Sequence, residues 1–196
     1  MLHASARALK HCGFLGGCVT IAVCAVHVAK SAAQSTQEHQ PRPSAANASP
    51  IYGVTMPPGY RDWKLIAVDT LTTGKLDQLR AQLGNEIAIK AFKEGKIPFP
   101  DGAIIAALHW KRVPSADNNR VLVAKFPGAQ SFVVGSPVNV QFMVKDSKKY
   151  AATGGWGFAD FKDGKPGDEA LHQACFPCHQ PAKDHDFVFA RYALTP

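Results

Sequence analysis

The chain has 196 residues, a formal net charge of +7 and 46% hydrophobic residues, enough apolar mass to bury a core, which excludes wholesale disorder. Its 16 glycines and 14 prolines are too many for a long-helix bundle or a coiled coil. The charge and the five cysteines acquire meaning only once they are located along the chain.

Cys12, Cys18 and Cys24 fall within residues 1–33, together with Arg7, Lys10 and Lys30 and no acid. A basic start, an apolar run from Gly13 to Ala29 and then Ser31-Ala32-Ala33 read as a signal peptide over residues 1–33, cut after Ala33. A retained membrane anchor is the alternative, because a run of about 17 residues is marginal for spanning. Without the leader the charge falls from +7 to +4, and only Cys175 and Cys178 remain. The basic doublets Lys111-Arg112 and Lys148-Lys149 form neither an arm nor a stripe, so no nucleic-acid partner is expected. Export places the mature chain in a bacterial periplasm or outside the cell.

Residues 34–50 are polar and aperiodic, a disordered linker, and the folded domain is expected over 51–196. A Pro/Gly-rich lead-in spans Tyr52 to Asp62. Trp63 to Leu71 reads as a strand, and Leu76 to Leu83 fits either a strand or a helix. Asn85 to Glu94 reads as a helix, with Asn85 as N-cap and Gly95 as its end. After a turn at Pro98-Phe99-Pro100-Asp101-Gly102, Ala103 to Val113 and Arg120 to Phe126 read as strands around a hairpin-type loop at Pro114 to Asn119. Val138 to Val144 alternates, with Val138, Val140, Phe142 and Val144 on one face and Asn139, Gln141 and Met143 on the other. Asp146 to Ala152 reads as a short helix, Gly155 to Phe161 as a strand, and Asp168 to Cys178 as helical. The expected class is α+β, mainly β: an antiparallel sheet with a few packed helices.

The chemistry lies in Cys175-Phe176-Pro177-Cys178-His179, the C-x-x-C-H spacing of c-type haem attachment. Two thiols three residues apart reach the two vinyl groups of one haem, and the adjacent imidazole is placed beneath the iron as an axial ligand. A structural zinc site needs four ligands, and the mature chain has no second cysteine pair. A thioredoxin-type pair would need most of its fold after the motif, and only 17 residues follow His179. A plain Cys175–Cys178 disulfide would leave His179 unexplained. One covalent haem c is therefore the expected cofactor.

Several stretches, in order, resemble the cytochrome P-460 family, which includes the sheet-based cytochromes c-prime-beta. They are Tyr52 to Trp63, Gly84-Asn85 before a helix, Phe99-Pro100-Asp101-Gly102-Ala103 and Val144-Lys145-Asp146-Ser147. Trp156-Gly157-Phe158 follows, then CFPCH and Phe187 to Tyr192. The resemblance implies an antiparallel sheet with helices on one side, commonly a homodimer, and one haem with His179 as proximal ligand and an iron often open on its other side. Relatives that oxidise hydroxylamine carry a lysine bonded to the haem ring. Ungapped placement puts Ala107 there, with Lys111 four residues on along the same strand face. No crosslink is expected on that placement, which weakens the expectation of hydroxylamine chemistry.

For the distal side, the resemblance points to Arg80 and Gln141. Met143 shares the face of Gln141 and can offer a thioether, and His109 shares the face of Ala107 and can offer a second imidazole. A surface or packing role is the competing reading for each. His172 and His185 are expected on the surface, Lys183 and Arg191 as candidate propionate partners, and Trp110, Trp156 and Phe158 as core aromatics. Three functions stay open: binding of a small gaseous or nitrogen-containing ligand such as nitric oxide, oxidation of hydroxylamine or nitric oxide, and electron transfer with an unknown redox partner.

Overall fold

The computed structural model describes residues 47–194, so the expected leader and most of the expected linker lie outside the described residues. Six strands pair in sequence order as one antiparallel meander: β1 (Lys64–Thr72), β2 (Asp77–Gly84), β3 (Ile104–Pro114), β4 (Phe132–Lys145), β5 (Trp156–Lys162) and β6 (Lys165–Pro166). The α+β, mainly β class is as expected. Among the described residues, no helix is long and apolar enough to cross a membrane.

Among the described residues, two α-helices interrupt the meander, α1 (Glu86–Glu94) and α2 (Ala116–Lys125), and two follow it, α3 (Glu169–Gln173) and α4 (Cys175–His179). Asn85 caps α1 by accepting from the Ala88 amide at 3.0 Å. It also donates to the Gly102 carbonyl and accepts from the Ile104 amide, so the start of α1 and the start of β3 share one side chain. Gly95 ends the helix in the left-handed region.

The alternation of β4 sorts its side chains as its sequence implies. Val140 and Phe142 lie beside Leu108, Ala106, Phe161 and Ala159 on one face. Tyr60 closes that face edge-on to Phe142, with ring centroids 5.1 Å apart. Leu76 to Leu83 resolves as strand, because β2 pairs on both sides, with β1 and β3. Trp156 and Phe158 are buried, and Trp110 is partly so.

Two segments depart from the sequence reading. Arg120 to Phe126 is not a strand: Ser115 caps a helix, α2, that runs through it and buries none of its residues. A helix with no buried face carries no helical periodicity, and the β-branched Val121 and Val123 mimic a strand. Asp146 to Ala152 is a turn followed by a 3-10 stretch at Ala151–Thr153. The fold also begins before Ile51. Ala48 bridges to Thr55, and the buried Ser49 hydroxyl donates to the Phe158 carbonyl at 2.9 Å.

Candidate functional site

Cross-strand register lays out one face of the sheet in rows. Gly84, Ile105, Met143 and Phe158 form the first row, and Gln82, Ala107, Gln141 and Asp160 the second. The third runs Asp69, Arg80, His109 and Asn139. The face is therefore apolar at one end and polar at the other, with Ala107 at the boundary.

Above the apolar end sits α4. Asp168 caps α3 by accepting from the Leu171 amide at 2.9 Å, and α4 follows directly. Its i, i+3 spacing brings Cys175 and Cys178 onto one side of the helix. A cavity of about 260 Å³ lies between this helix and the sheet. Ile105, Ala107, Gln141, Met143 and Phe158 line it from below, and Cys175, Cys178 and His179 line it from the other wall.

His179 donates from Nδ1 to the Phe187 carbonyl at 2.7 Å, which leaves the Nε2 lone pair free for a ligand bond. Its ring lies between Phe158 and Phe189, at centroid distances of 5.0 and 5.3 Å. Burial lowers its pKa, and the bond to Phe187 opposes this more weakly, so the imidazole is neutral at neutral pH. The two cysteines are not bonded to each other. Burial, then the Asp160 carboxylate and Cys178, push the Cys175 thiol up to about 11. It is not a ready thiolate, which argues against thiol–disulfide exchange at this position.

The structure brings Ala107, Gln141 and Met143 to the cavity, but places Arg80 and His109 in the third row, outside its lining. Arg80 pairs with Asp69 through two contacts of 2.6 and 3.0 Å. His109 donates from Nδ1 to Gln78 Oε1 at 2.9 Å, and its buried Nε2 has no partner. Lys111 is exposed at the strand's outer reach, and among the described residues the cavity lining holds no lysine. Lys183 is exposed, and Arg191 donates to the carbonyls of Val188, Phe189 and Ala190.

His172 is not a surface residue: it is fully buried, while His185 is exposed as expected. Its Nε2 accepts from the Asp160 amide at 3.1 Å and its Nδ1 donates to the Asp168 carbonyl at 2.7 Å. One ring thus ties the cap of α3 to β5. Sequence reasoning also missed Asp160, which is buried and accepts from Asn139 at 2.6 Å and Gln141 at 2.8 Å. Its place after the WGF stretch, in phase with Phe158 on the strand, was the available signal.

The family model for Cytochrome P460 matches residues 57–190, well over half of the chain. No curated protein matches it. The chain belongs to the cytochrome P460 family and is a haem-binding cytochrome of that type. Its residues fit the cofactor. An apolar cavity opens beside two unpaired thiols, and a histidine whose other nitrogen is already engaged lines the same wall.

Proposed function

We propose that this member of the cytochrome P460 family is an exported, mono-haem c-type protein that binds a small ligand such as nitric oxide at an open distal position. In this reading Cys175 and Cys178 hold the haem by thioethers and His179 supplies the proximal imidazole. The bound haem supplies an iron with redox and ligand-binding chemistry; the chain sets its access and polarity. The observation that carries the reading is the cavity floor: Ala107, Ile105 and Phe158 offer no ligand to iron, and Met143 is the one thioether on it. Gln141, at the polar edge, offers an amide to a bound molecule.

Two alternatives meet specific observations. Oxidation of hydroxylamine by a lysine-crosslinked haem is disfavoured by Ala107 lining the cavity where resemblance places that lysine. Electron transfer with a six-coordinate iron is favoured more by Met143, which lines the cavity, than by His109, which does not. A homodimer, by family resemblance, and an unknown redox partner complete the proposal.

Optical spectroscopy of the purified ferrous protein, with and without nitric oxide or carbon monoxide, tests the reading. A five-coordinate spectrum that changes on adding either gas is expected. A low-spin six-coordinate spectrum indifferent to both, converted to high-spin by Met143→Leu, would establish the carrier instead. Intact mass lacking one covalent haem would overturn the assignment altogether.

A further inference from the structure

Among the described residues, Lys145 and Asp186 form the one ion pair whose side chains are both buried, 4% and 6% exposed. Such a pair is weak as a stabilising device, because apolar side chains of similar volume commonly serve as well. Its geometry points to another purpose. Lys145 Nζ lies 2.8 Å from each Asp186 oxygen and 3.0 Å from the Gly154 carbonyl, and 4.9 Å from the centroid of the Trp156 ring. Asp186 Oδ2 also accepts from the Phe99 amide at 2.8 Å.

The pair joins the end of β4 to a left-handed dipeptide, Asp186 (φ 53°) and Phe187 (φ 64°). Side chains other than glycine rarely adopt that backbone, so surrounding contacts must hold it. Lys145 supplies one anchor. Gly154 supplies the second, since a Cβ at that position would overlap the Phe187 ring. The dipeptide presents the Phe187 carbonyl to Nδ1 of His179. Strand β4 is thereby connected, through one ion pair, to the hydrogen bond behind the haem-facing imidazole.

We infer that Lys145 and Asp186 are positioning residues for His179: they fix its Nδ1–H···O=C bond and so set how strongly its Nε2 donates to the iron. A firm bond at Nδ1 makes the imidazole a stronger donor, and a lengthened one weakens it. The inference rests on the proposed role of His179 as proximal ligand.

The test uses the haem-loaded protein and reads the ferrous iron–histidine stretch by resonance Raman together with the reduction potential. Removing one partner alone would strand a buried charge, so the pair is neutralised as Lys145→Met with Asp186→Asn. Gly154→Ala displaces Phe187 while keeping both charged side chains. In both variants the stretch moves to lower wavenumber and the potential rises, whereas Lys145→Arg, which retains the charge, stays closer to the parent. An unmoved stretch and potential in folded, haem-loaded variants overturns the inference while leaving the haem assignment intact; absence of covalent haem overturns both. NMR of the unaltered haem protein gives a check that needs no variant. The His179 Nδ1 proton must exchange slowly with solvent, and a fast-exchanging proton overturns the inference.

Discussion

Gln141 donates its side-chain amide to Asp160 across neighbouring strands, at 2.8 Å, and thereby ties a buried carboxylate to the edge of the cavity floor. The other donor to that carboxylate side chain, Asn139, is also neutral, and among the described residues no lysine or arginine pairs with it. A carboxylate held this way repels anions entering the cavity and is indifferent to uncharged gases. Asp160→Asn is expected to tighten cyanide or azide binding to the ferric protein about tenfold, or ~1.4 kcal/mol, through loss of a like charge in a partly desolvated site. Carbon monoxide binding to the ferrous protein should stay within about twofold, since no charge is involved. Optical titration gives both constants, and an equal shift for anion and gas would refute charge exclusion.

Ala107 sits at the boundary between the apolar and polar ends of the sheet face, where a larger side chain would enter the cavity. Ala107→Phe is expected to slow carbon monoxide association by about tenfold or more, the order of cost of overpacking an enclosed site. Haem content should not change, because Cys175, Cys178 and His179 are on the opposite wall. Flash photolysis measures the rate. An unaltered rate would mean that ligands bind away from Ala107.

His172 links Asp160 to Asp168 by its two nitrogens. His172→Phe keeps an aromatic ring of similar size but strands the Asp160 amide, at a cost of about 1–3 kcal/mol for an unsatisfied buried donor. Urea unfolding should show a lower midpoint with an unchanged slope. A midpoint equal to that of the parent would show that water or a backbone shift replaces the bond.

What was legible in the sequence follows from how local each cause is. Cys175, Cys178 and His179 are brought together by spacing within five residues, so their shared place at the cavity wall is readable without a fold. The strand Val138 to Val144 is readable because one face of it meets the core. His172 was misread because its burial depends on Asp160, a residue of another element, and nothing in the polar residues around it announces that contact. The Lys145–Asp186 pair is 41 residues apart in sequence and exists only once β4 and the C-terminal segment are packed. Helix α2 was misread for the opposite reason: it packs against nothing that would impose a period on its apolar residues.

His109 supplies a pH-dependent term in stability whose sign is fixed by its surroundings. Burial lowers its pKa below the ordinary 6.5, and the Arg80 guanidinium adds to this, while the Asp160 and Asp69 carboxylates oppose. The unfolded chain therefore binds a proton at this position more readily than the folded one, and stability rises with pH wherever that difference holds. The contribution is fully present above pH 6.5 and is lost as pH drops below it, down to the folded-state pKa. On the proposed assignment His179 would be engaged by the haem iron, which leaves His109 as the histidine of the sheet face to titrate. Thermal unfolding of the haem-loaded protein should show a lower midpoint at pH 5.5 than at pH 8. His109→Gln keeps a polar side chain without the titration; it lowers stability uniformly by removing the ring's bond to Gln78, but narrows the gap between the two pH values. A gap of the same size in the variant would assign the acid limb to another group.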